Sequence, residues 1–209
     1  MKKNIGTNAF FLFISFSIFS QQQIDVPVQL YKEISSLKTI HEYVGSVYVF
    51  KDFRSGILNY EGRQVPLKFN INANTNSICF INNFGKIHVL NYNPNINISI
   101  GNQNFNYLKV NEQTFVTSQL SKINGNILYK SYFSKITLPK PSTNGYDLPK
   151  PGKIEIKNNF IFYVDGKYSI VSKNKKAIAN TFPDYKGLIK SYKLKFKSEK
   201  DFIKFFNFM

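Results

Sequence analysis

Apolar and polar residues alternate through the middle of the chain. In "NINISIG", Ile96, Ile98 and Ile100 fall on one side of an extended chain, and the asparagines and serine between them fall on the other. Successive side chains of a strand point to opposite faces, so this period of two predicts a half-buried strand. The pattern predicts nine or ten short strands between residues 46 and 172. No segment there is long enough for a helical crossover, so we expect antiparallel pairing.

Short turn sequences separate several of these predicted strands. Asn124-Gly125 joins "TFVTSQLSKI" to "NILYKSYFSKI", and Asp165-Gly166 joins "NFIFYV" to "KYSIVS". Both pairs tolerate the positive φ angles that a two-residue hairpin turn requires, so they predict tight hairpins. Residues 61–62, 74–76 and 83–85 contain glycine or asparagine and predict looser turns.

The apolar spacing becomes helical after residue 172. "KNKKAIANTF" predicts a helix that ends at Pro183, and "PDYKGLIKSYK" a second helix with Pro183 in its first turn. "SEKDFIKFFNF" predicts a third, begun by Ser198 and Asp201 in capping-box spacing. The predicted apolar faces comprise Phe182, Leu188, Ile189, Phe202, Ile203, Phe205 and Phe206. The expected fold class is α+β and β-rich: an antiparallel meander, a curved sheet or barrel-like, followed by short C-terminal helices.

The first twenty residues have the features of a secretory signal peptide. Lys2 and Lys3 form a positive n-region, residues 9–19 an apolar h-region, and Ser20 before Gln21 a small-residue cleavage site. A cleaved signal peptide predicts a periplasmic or secreted protein. The alternative is that the segment remains as an uncleaved anchor helix.

The remaining chain divides into three predicted parts. Residues 21–44 form an N-terminal extension, in which "PVQLYKEISSLK" places Leu30, Ile34 and Leu37 at helical spacing and predicts a short helix. Residues 45–172 form the β body, and residues 173–209 a basic helical segment.

A proline-rich stretch, "LPKPSTNGYDLPKP", occupies residues 138–151 within the β body. Its four prolines lack the N–H donor of a central strand, and each keeps the preceding residue extended. We expect it to be a strap that crosses the body, held down by Tyr146. The alternative is a polyproline ligand for an aromatic groove, interrupted here by "STNGYD".

Positive charge is concentrated at the C-terminus. The formal net charge of +16 falls to +14 without residues 1–20, and eleven lysines from Lys167 to Lys204 face only three acids. An exported protein meets little nucleic acid, so the expected partners are an anionic envelope polymer, lipid head groups or another envelope protein. The alternative is a solvated basic surface without a dedicated partner. The candidate anion-binding residues are Lys173, Lys175, Lys176, Lys190, Lys193, Lys195 and Lys197.

Catalytic and metal-binding patterns are missing from the sequence. The single cysteine, Cys79, lies among apolar residues, which predicts a buried and inert thiol. His88 is expected at the surface or at a sheet edge. The sequence predicts no metal site, no cofactor and no catalytic residue. A site assembled from distant residues, such as Glu112 or Glu155 with a histidine, is the enzymatic alternative.

Several segments, in order, resemble one family of exported proteins. These are "GSVYVFKDFRSG", "LNYEGRQVPLKFN", "NSICFI", "NISIGNQNFNYL", "NGNILYKSYFSKI", the proline-rich stretch and "FPDYKGLIKSYKLKFKSEKDFIKFF". From about Gly45 to the C-terminus they are similar to uncharacterised signal-peptide-bearing proteins of Bacteroidota. Val47, where that pattern has proline, and the richness in asparagine and lysine depart from it. The resemblance implies an exported envelope or secreted protein and transfers no catalytic residue.

The expected function follows from these features together. We expect a non-enzymatic envelope accessory or binding protein that contacts anionic components. The alternative is a hydrolase-like enzyme, which would need a deep pocket joining a carboxylate to a histidine.

Overall fold

The computed structural model describes residues 43–141 and 150–209 and, for residues 31–33, the backbone. Twelve strands in these residues join one sheet. They are β1 (Tyr31–Glu33), β2 (Tyr43–Val44), β3 (Arg54–Tyr60), β4 (Arg63–Asn72), β5 (Ser77–Ile81), β6 (Ile87–Leu90), β7 (Asn97–Ile100), β8 (Gln103–Val110), β9 (Gln113–Ile123), β10 (Asn126–Thr137), β11 (Gly152–Val164) and β12 (Lys167–Val171). Three short helices follow: α1 (Lys175–Thr181), α2 (Lys186–Ser191) and α3 (Glu199–Phe206).

Two meanders leave β3 in opposite directions across the sheet. One runs through β4, β5 and β6 to β1, and the other runs from β7 in sequence order to β12. The expected β-rich α+β fold is confirmed, and the described sheet is open rather than closed. Antiparallel pairing holds except between β2 and β11, which run parallel. The ten strands β3 to β12 fall within residues 46–172, as the alternation predicted.

The two predicted tight hairpin turns are confirmed. Asn124-Gly125 joins β9 to β10 with φ angles of 49° and 83°, and Asp165-Gly166 joins β11 to β12 with 50° and 78°. Glu61-Gly62, expected to be a looser turn, is a tight turn of the same kind and joins β3 to β4 with φ angles of 47° and 75°. Asn111-Glu112 is a fourth and joins β8 to β9 with φ angles of 48° and 66°. Sequence reasoning missed it because neither residue is glycine, the usual marker of positive φ.

The predicted N-terminal helix is wrong where the structure describes it. Residues Tyr31–Glu33 form β1 and pair with β6, with Glu33 opposite His88. The open edge of β6 offers unpaired backbone groups, and a strand satisfies these groups while a helix cannot. The rest of that predicted helix lies outside the described residues.

The first hydrophobic core lies on one face of the sheet, called here the inner face. It is formed mainly by β3 to β8 and includes Leu58, Phe69, Ile71, Ile78, Phe80, Ile98, Phe105 and Val116. The sheet curls over this core, and the curl brings Tyr107 of β8 within hydrogen-bonding distance of β5 and β6 in the other meander. Its hydroxyl donates to the carbonyl of Leu90 at 2.6 Å and accepts from the N–H of Ile78 at 3.2 Å.

The second hydrophobic core lies where the three helices pack on the inner face of the C-terminal strands. Leu128, Phe160, Phe162 and Val171 contribute from the sheet. All seven apolar residues predicted for the helices belong to this core, as buried or partly buried members. Three further buried members from the helical segment, Ile178, Leu194 and Phe196, were not predicted.

The predicted capping box of α3 is not formed. Ser198 occupies the N-cap position, but its side chain makes no capping hydrogen bond. The carboxylate of Asp201 instead accepts from the backbone N–H of Lys197 at 3.3 Å. An unpredicted cap occurs at α1, where the Asn174 side chain accepts from the N–H groups of Lys176 and Ala177.

The ends of the proline-rich stretch lie on adjacent strands. Lys140 and Lys150 exchange two backbone hydrogen bonds, of 3.0 and 2.9 Å, which extend the β10–β11 pairing beyond Thr137 and Lys153. We expected a strap that crosses the body, and these ends form a hairpin extension instead, because the strands they join are neighbours. Residues 142–149, which include Tyr146, lie outside the described residues.

Candidate functional site

The seven candidate lysines project from the helical segment. We call Lys173, Lys175, Lys176, Lys190, Lys193, Lys195 and Lys197 the lysine surface. Each of them is exposed. None takes part in the ion pairs of the described residues, which join Lys109 to Glu112, Lys130 to Glu199, and Lys153 and Lys157 to Glu155. Within the described residues, no carboxylate therefore forms an ion pair with these seven ammonium groups.

The segment between α2 and α3 fixes the direction of three of these lysines. Lys193, Lys195 and Lys197 are exposed, while Leu194 and Phe196 between them are buried. This alternation turns the ammonium groups outward because the apolar side chains are held in the second core. The lysine surface is thus fixed by burial of its neighbours.

A left-handed residue ends α2 at the start of that segment. Lys193 has a φ of 51°, its N–H donates to the Lys190 carbonyl at 3.1 Å, and the Leu194 N–H donates to the Ile189 carbonyl at 3.2 Å. These two bonds form a Schellman motif, in which glycine usually occupies the left-handed position. Lysine there places a charge at the C-terminal end of the helix, where positive charge is favourable.

Stacked phenylalanines anchor α3 to the sheet. Phe202 lies parallel to Phe160 of β11, with ring centroids 3.5 Å apart and planes at 11°. Phe196 contacts Phe202 and Phe205 edge-on, at 5.2 and 5.4 Å. Edge-on contacts of this kind add to the gain from burial itself.

A half-buried ion pair also ties α3 to the sheet. The Lys130 ammonium of β10 donates to a Glu199 carboxylate oxygen at 2.8 Å, with side chains 15% and 37% exposed. Burial opposes the charge of Lys130, but the hydrogen bond to Glu199 and the nearby Tyr132 outweigh burial and raise the pKa of Lys130.

Glu199→Gln is expected to destabilise the fold by about 1–2 kcal/mol, between the values for exposed and buried pairs. The substitution leaves the sparsely exposed Lys130 without a counter-charge. Urea denaturation followed by circular dichroism measures the change. Glu112→Gln is the matched control, because its ion pair with Lys109 involves a side chain that is 91% exposed. Equal stability of Glu199→Gln and the parent protein would contradict the anchoring role.

A polar cleft lies on the outer face of the sheet, opposite the first core. It has a volume of about 190 Å³. We call it the amide cleft, because five of its six lining residues carry side-chain amides: Asn97, Asn102, Asn104, Asn106 and Gln119, with Tyr129 as the sixth. Sequence reasoning interpreted only Asn97 of this group, as part of the polar side of a strand, and missed the cleft because the convergence of its residues depends on strand register. A larger open cleft of about 430 Å³ lies around Lys68, between β3, β4 and β5.

The expected surface position of His88 is wrong. His88 is 5% exposed and stacks on Phe80, with centroids 5.2 Å apart. The reason is that β6 is covered at its edge by β1 and that His88 shares the inner face with Leu90. Cys79 is fully buried, as predicted, and burial raises its pKa to about 11, so the thiol stays protonated at neutral pH.

The residues of the enzymatic alternative are not brought together. Glu112 lies in the turn between β8 and β9, and Glu155 lies between Lys153 and Lys157, whose ammonium groups lower its pKa to about 2. Neither lines one of the two clefts described above, nor does His88. Among the described residues, no group of histidine, cysteine, aspartate and glutamate is placed to hold a metal ion.

Comparison with protein-family models, curated proteins and solved structures gives no match. Within residues 43–141 and 150–209, no helix combines the length and apolar character needed to cross a membrane. The surface chemistry of this chain is therefore the basis for assigning a function.

Proposed function

We propose that this is an exported, non-enzymatic envelope accessory protein that binds an anionic polymer or lipid head groups through the lysine surface. The observation that carries the proposal is the set of seven exposed lysines without carboxylate partners, held on a segment anchored by buried phenylalanines.

The charge balance of the helical segment favours an anionic partner. Of its carboxylates, Glu199 is paired with Lys130 and Asp201 accepts from a backbone N–H, which leaves Asp184 to offset the lysines. Clustered ammonium groups repel one another, and a polyanion relieves that repulsion while releasing counterions. Such binding tolerates differences in ligand detail, because it depends on charge density rather than on a shaped pocket.

The signal-like N-terminus supports an envelope partner rather than nucleic acid. Phosphate-bearing lipid head groups and acidic polymers are the anions that an exported protein meets. Their attraction to lysines is screened over a Debye length of about 8 Å at physiological ionic strength, so binding depends strongly on salt.

The triple substitution Lys190→Gln, Lys193→Gln and Lys195→Gln is expected to weaken binding to phosphatidylglycerol vesicles at low salt by roughly tenfold to a hundredfold. The reason is that each lysine near an anionic surface contributes about 1 kcal/mol. Vesicle co-sedimentation measures the loss. Neutral phosphatidylcholine vesicles should bind neither protein.

The matched control replaces Lys51, Lys122 and Lys135 by glutamine. These lysines are exposed and lie outside the helical segment, and the change in net charge is the same. The control should retain most of the binding. Equal weakening of both variants, or no weakening of the first, would contradict a localised lysine surface.

A further inference from the structure

We infer that the amide cleft binds a neutral sugar unit, a hexose or an N-acetylhexosamine of a glycan. This function is separate from anion binding, because the cleft lies on the outer face of the sheet and the helices pack on the inner face.

Strand register explains why the amides converge. Asn97 of β7 lies opposite Asn106 of β8, and Gln119 of β9 lies opposite Tyr129 of β10. Directly opposed residues in antiparallel strands share a face. The alternating residues Ile98, Phe105 and others fill the first core, so the intervening polar side chains must all point outward.

Two of the amides are held in place by neighbouring hydroxyl groups. The Ser99 hydroxyl donates to the side-chain oxygen Oδ1 of Asn104 at 2.8 Å, and the Thr117 hydroxyl donates to Oδ1 of Asn106 at 3.0 Å. These bonds fix the two side chains and leave their N–H₂ groups to donate to a ligand. A pre-organised donor binds with a smaller entropy cost than a mobile one.

The remaining amides can both donate and accept. Among the described residues, the side chains of Asn97, Asn102 and Gln119 have no hydrogen-bond partner. Each amide offers two donors and a carbonyl acceptor. Vicinal hydroxyl groups of a sugar also donate and accept, so an array of amides matches them group by group.

The composition of the lining excludes other classes of ligand. No lysine, arginine, aspartate or glutamate lines the cleft. A charged ligand would lose hydration there without gaining a counter-charge, and an apolar ligand would cover the amides without satisfying them. Tyr129 adds a largely buried aromatic ring, and burial raises its pKa, so its hydroxyl stays protonated.

The volume limits the ligand to one ring. A cleft of about 190 Å³ is smaller than the roughly 300–1,000 Å³ typical of drug-sized ligands. One neutral ring has few atoms to contribute, so a dissociation constant on the order of millimolar is expected. Repeated units on a glycan would raise the apparent affinity through multivalency.

The test is an NMR titration of the ¹⁵N-labelled protein with glucose, galactose, mannose and N-acetylglucosamine. At least one sugar should produce saturable shifts of the side-chain amide signals from the cleft, unchanged by added NaCl because the ligand is neutral. The Asn102→Ala, Gln119→Ala double variant should bind that sugar roughly tenfold more weakly, since each lost hydrogen bond contributes a few-fold. The side chains of Asn102 and Gln119 are exposed and make no hydrogen bond within the part of the chain that the structure describes, so the fold should be retained.

The matched control is Asn95→Ala with Gln113→Ala, two exposed residues outside the cleft, and it should bind like the parent protein. No saturable shift with any of the four sugars, or equal binding by the Asn102→Ala, Gln119→Ala variant, would overturn the inference. The lysine-to-glutamine triple variant should keep its sugar binding, which separates this site from the lysine surface.

Discussion

Phe202→Ala is expected to lower the free energy of unfolding by about 3–5 kcal/mol, the usual cost of removing a buried phenylalanine. The ring is fully buried, stacks on Phe160 of the sheet and contacts Phe196 edge-on. Its removal leaves a cavity at the centre of the second core and detaches α3 from β11. Urea denaturation followed by far-ultraviolet circular dichroism measures the loss.

Phe208→Ala is the control for this substitution. Phe208 is 36% exposed and contacts only the exposed Tyr192 ring among the described aromatic pairs, at 4.4 Å. It should change stability by less than about 1 kcal/mol, as surface substitutions usually do. Phe202→Ala should also weaken vesicle binding although every lysine remains, because the lysine surface needs an ordered core beneath it. If the variant binds vesicles fully although its helical segment is unfolded, then lysine charge alone is enough for binding and the ordered core is not required.

The helical segment shows which parts of a core the sequence can reveal. Phe202, Phe205 and Phe206 recur at helical spacing, so their burial could be predicted from the period alone. Leu194 and Phe196 lie between helices, where the helical period does not apply. Phe196 also has a φ of 55°, a conformation that bulky residues rarely adopt, so local propensity argues against its observed position. Tertiary burial decides its conformation.

The sheet shows a similar division between local and distant information. The Asn124-Gly125 and Asp165-Gly166 hairpins are local and could be predicted. The pairing of β3 with β7 joins strands that are distant in sequence, and no local pattern specifies it. The prediction for His88 was wrong for a similar reason. Its burial depends on β1, which is distant in sequence and pairs with the edge of β6.

The lysine surface and the amide cleft also differ in how far their residues lie from one another in the sequence. The lysine surface could be identified from composition, because its residues all lie within residues 173–197 and lysine side chains are usually exposed. The amide cleft draws on four strands, and its residues meet only once the register is set. A neutral site of this kind leaves no mark on net charge or on any motif.

Asn70 is a buried polar residue that completes an irregular part of the sheet. Residues 47–49 hydrogen-bond to the end of β4, and the pairing is interrupted before β3 begins. At the interruption the Asn70 side chain accepts from the Phe50 N–H at 3.0 Å and donates to the carbonyls of Phe50 at 2.9 Å and Asp52 at 3.3 Å. One amide thereby satisfies backbone groups that the broken pairing leaves without partners.

Asn70→Ala is therefore expected to lower the free energy of unfolding by about 2–4 kcal/mol, since each buried backbone group left without a partner costs about 1–3 kcal/mol. Asn72→Ala is the control, on the same strand and equally buried. Its side chain accepts from the N–H groups of Asn74 and Thr75, which lie in an exposed turn where water can replace it, so its loss should be about 1 kcal/mol. Urea midpoints of the two variants measure the difference. Equal losses would mean that Asn70 acts by filling space and that its hydrogen bonds to the interrupted strand contribute little to stability.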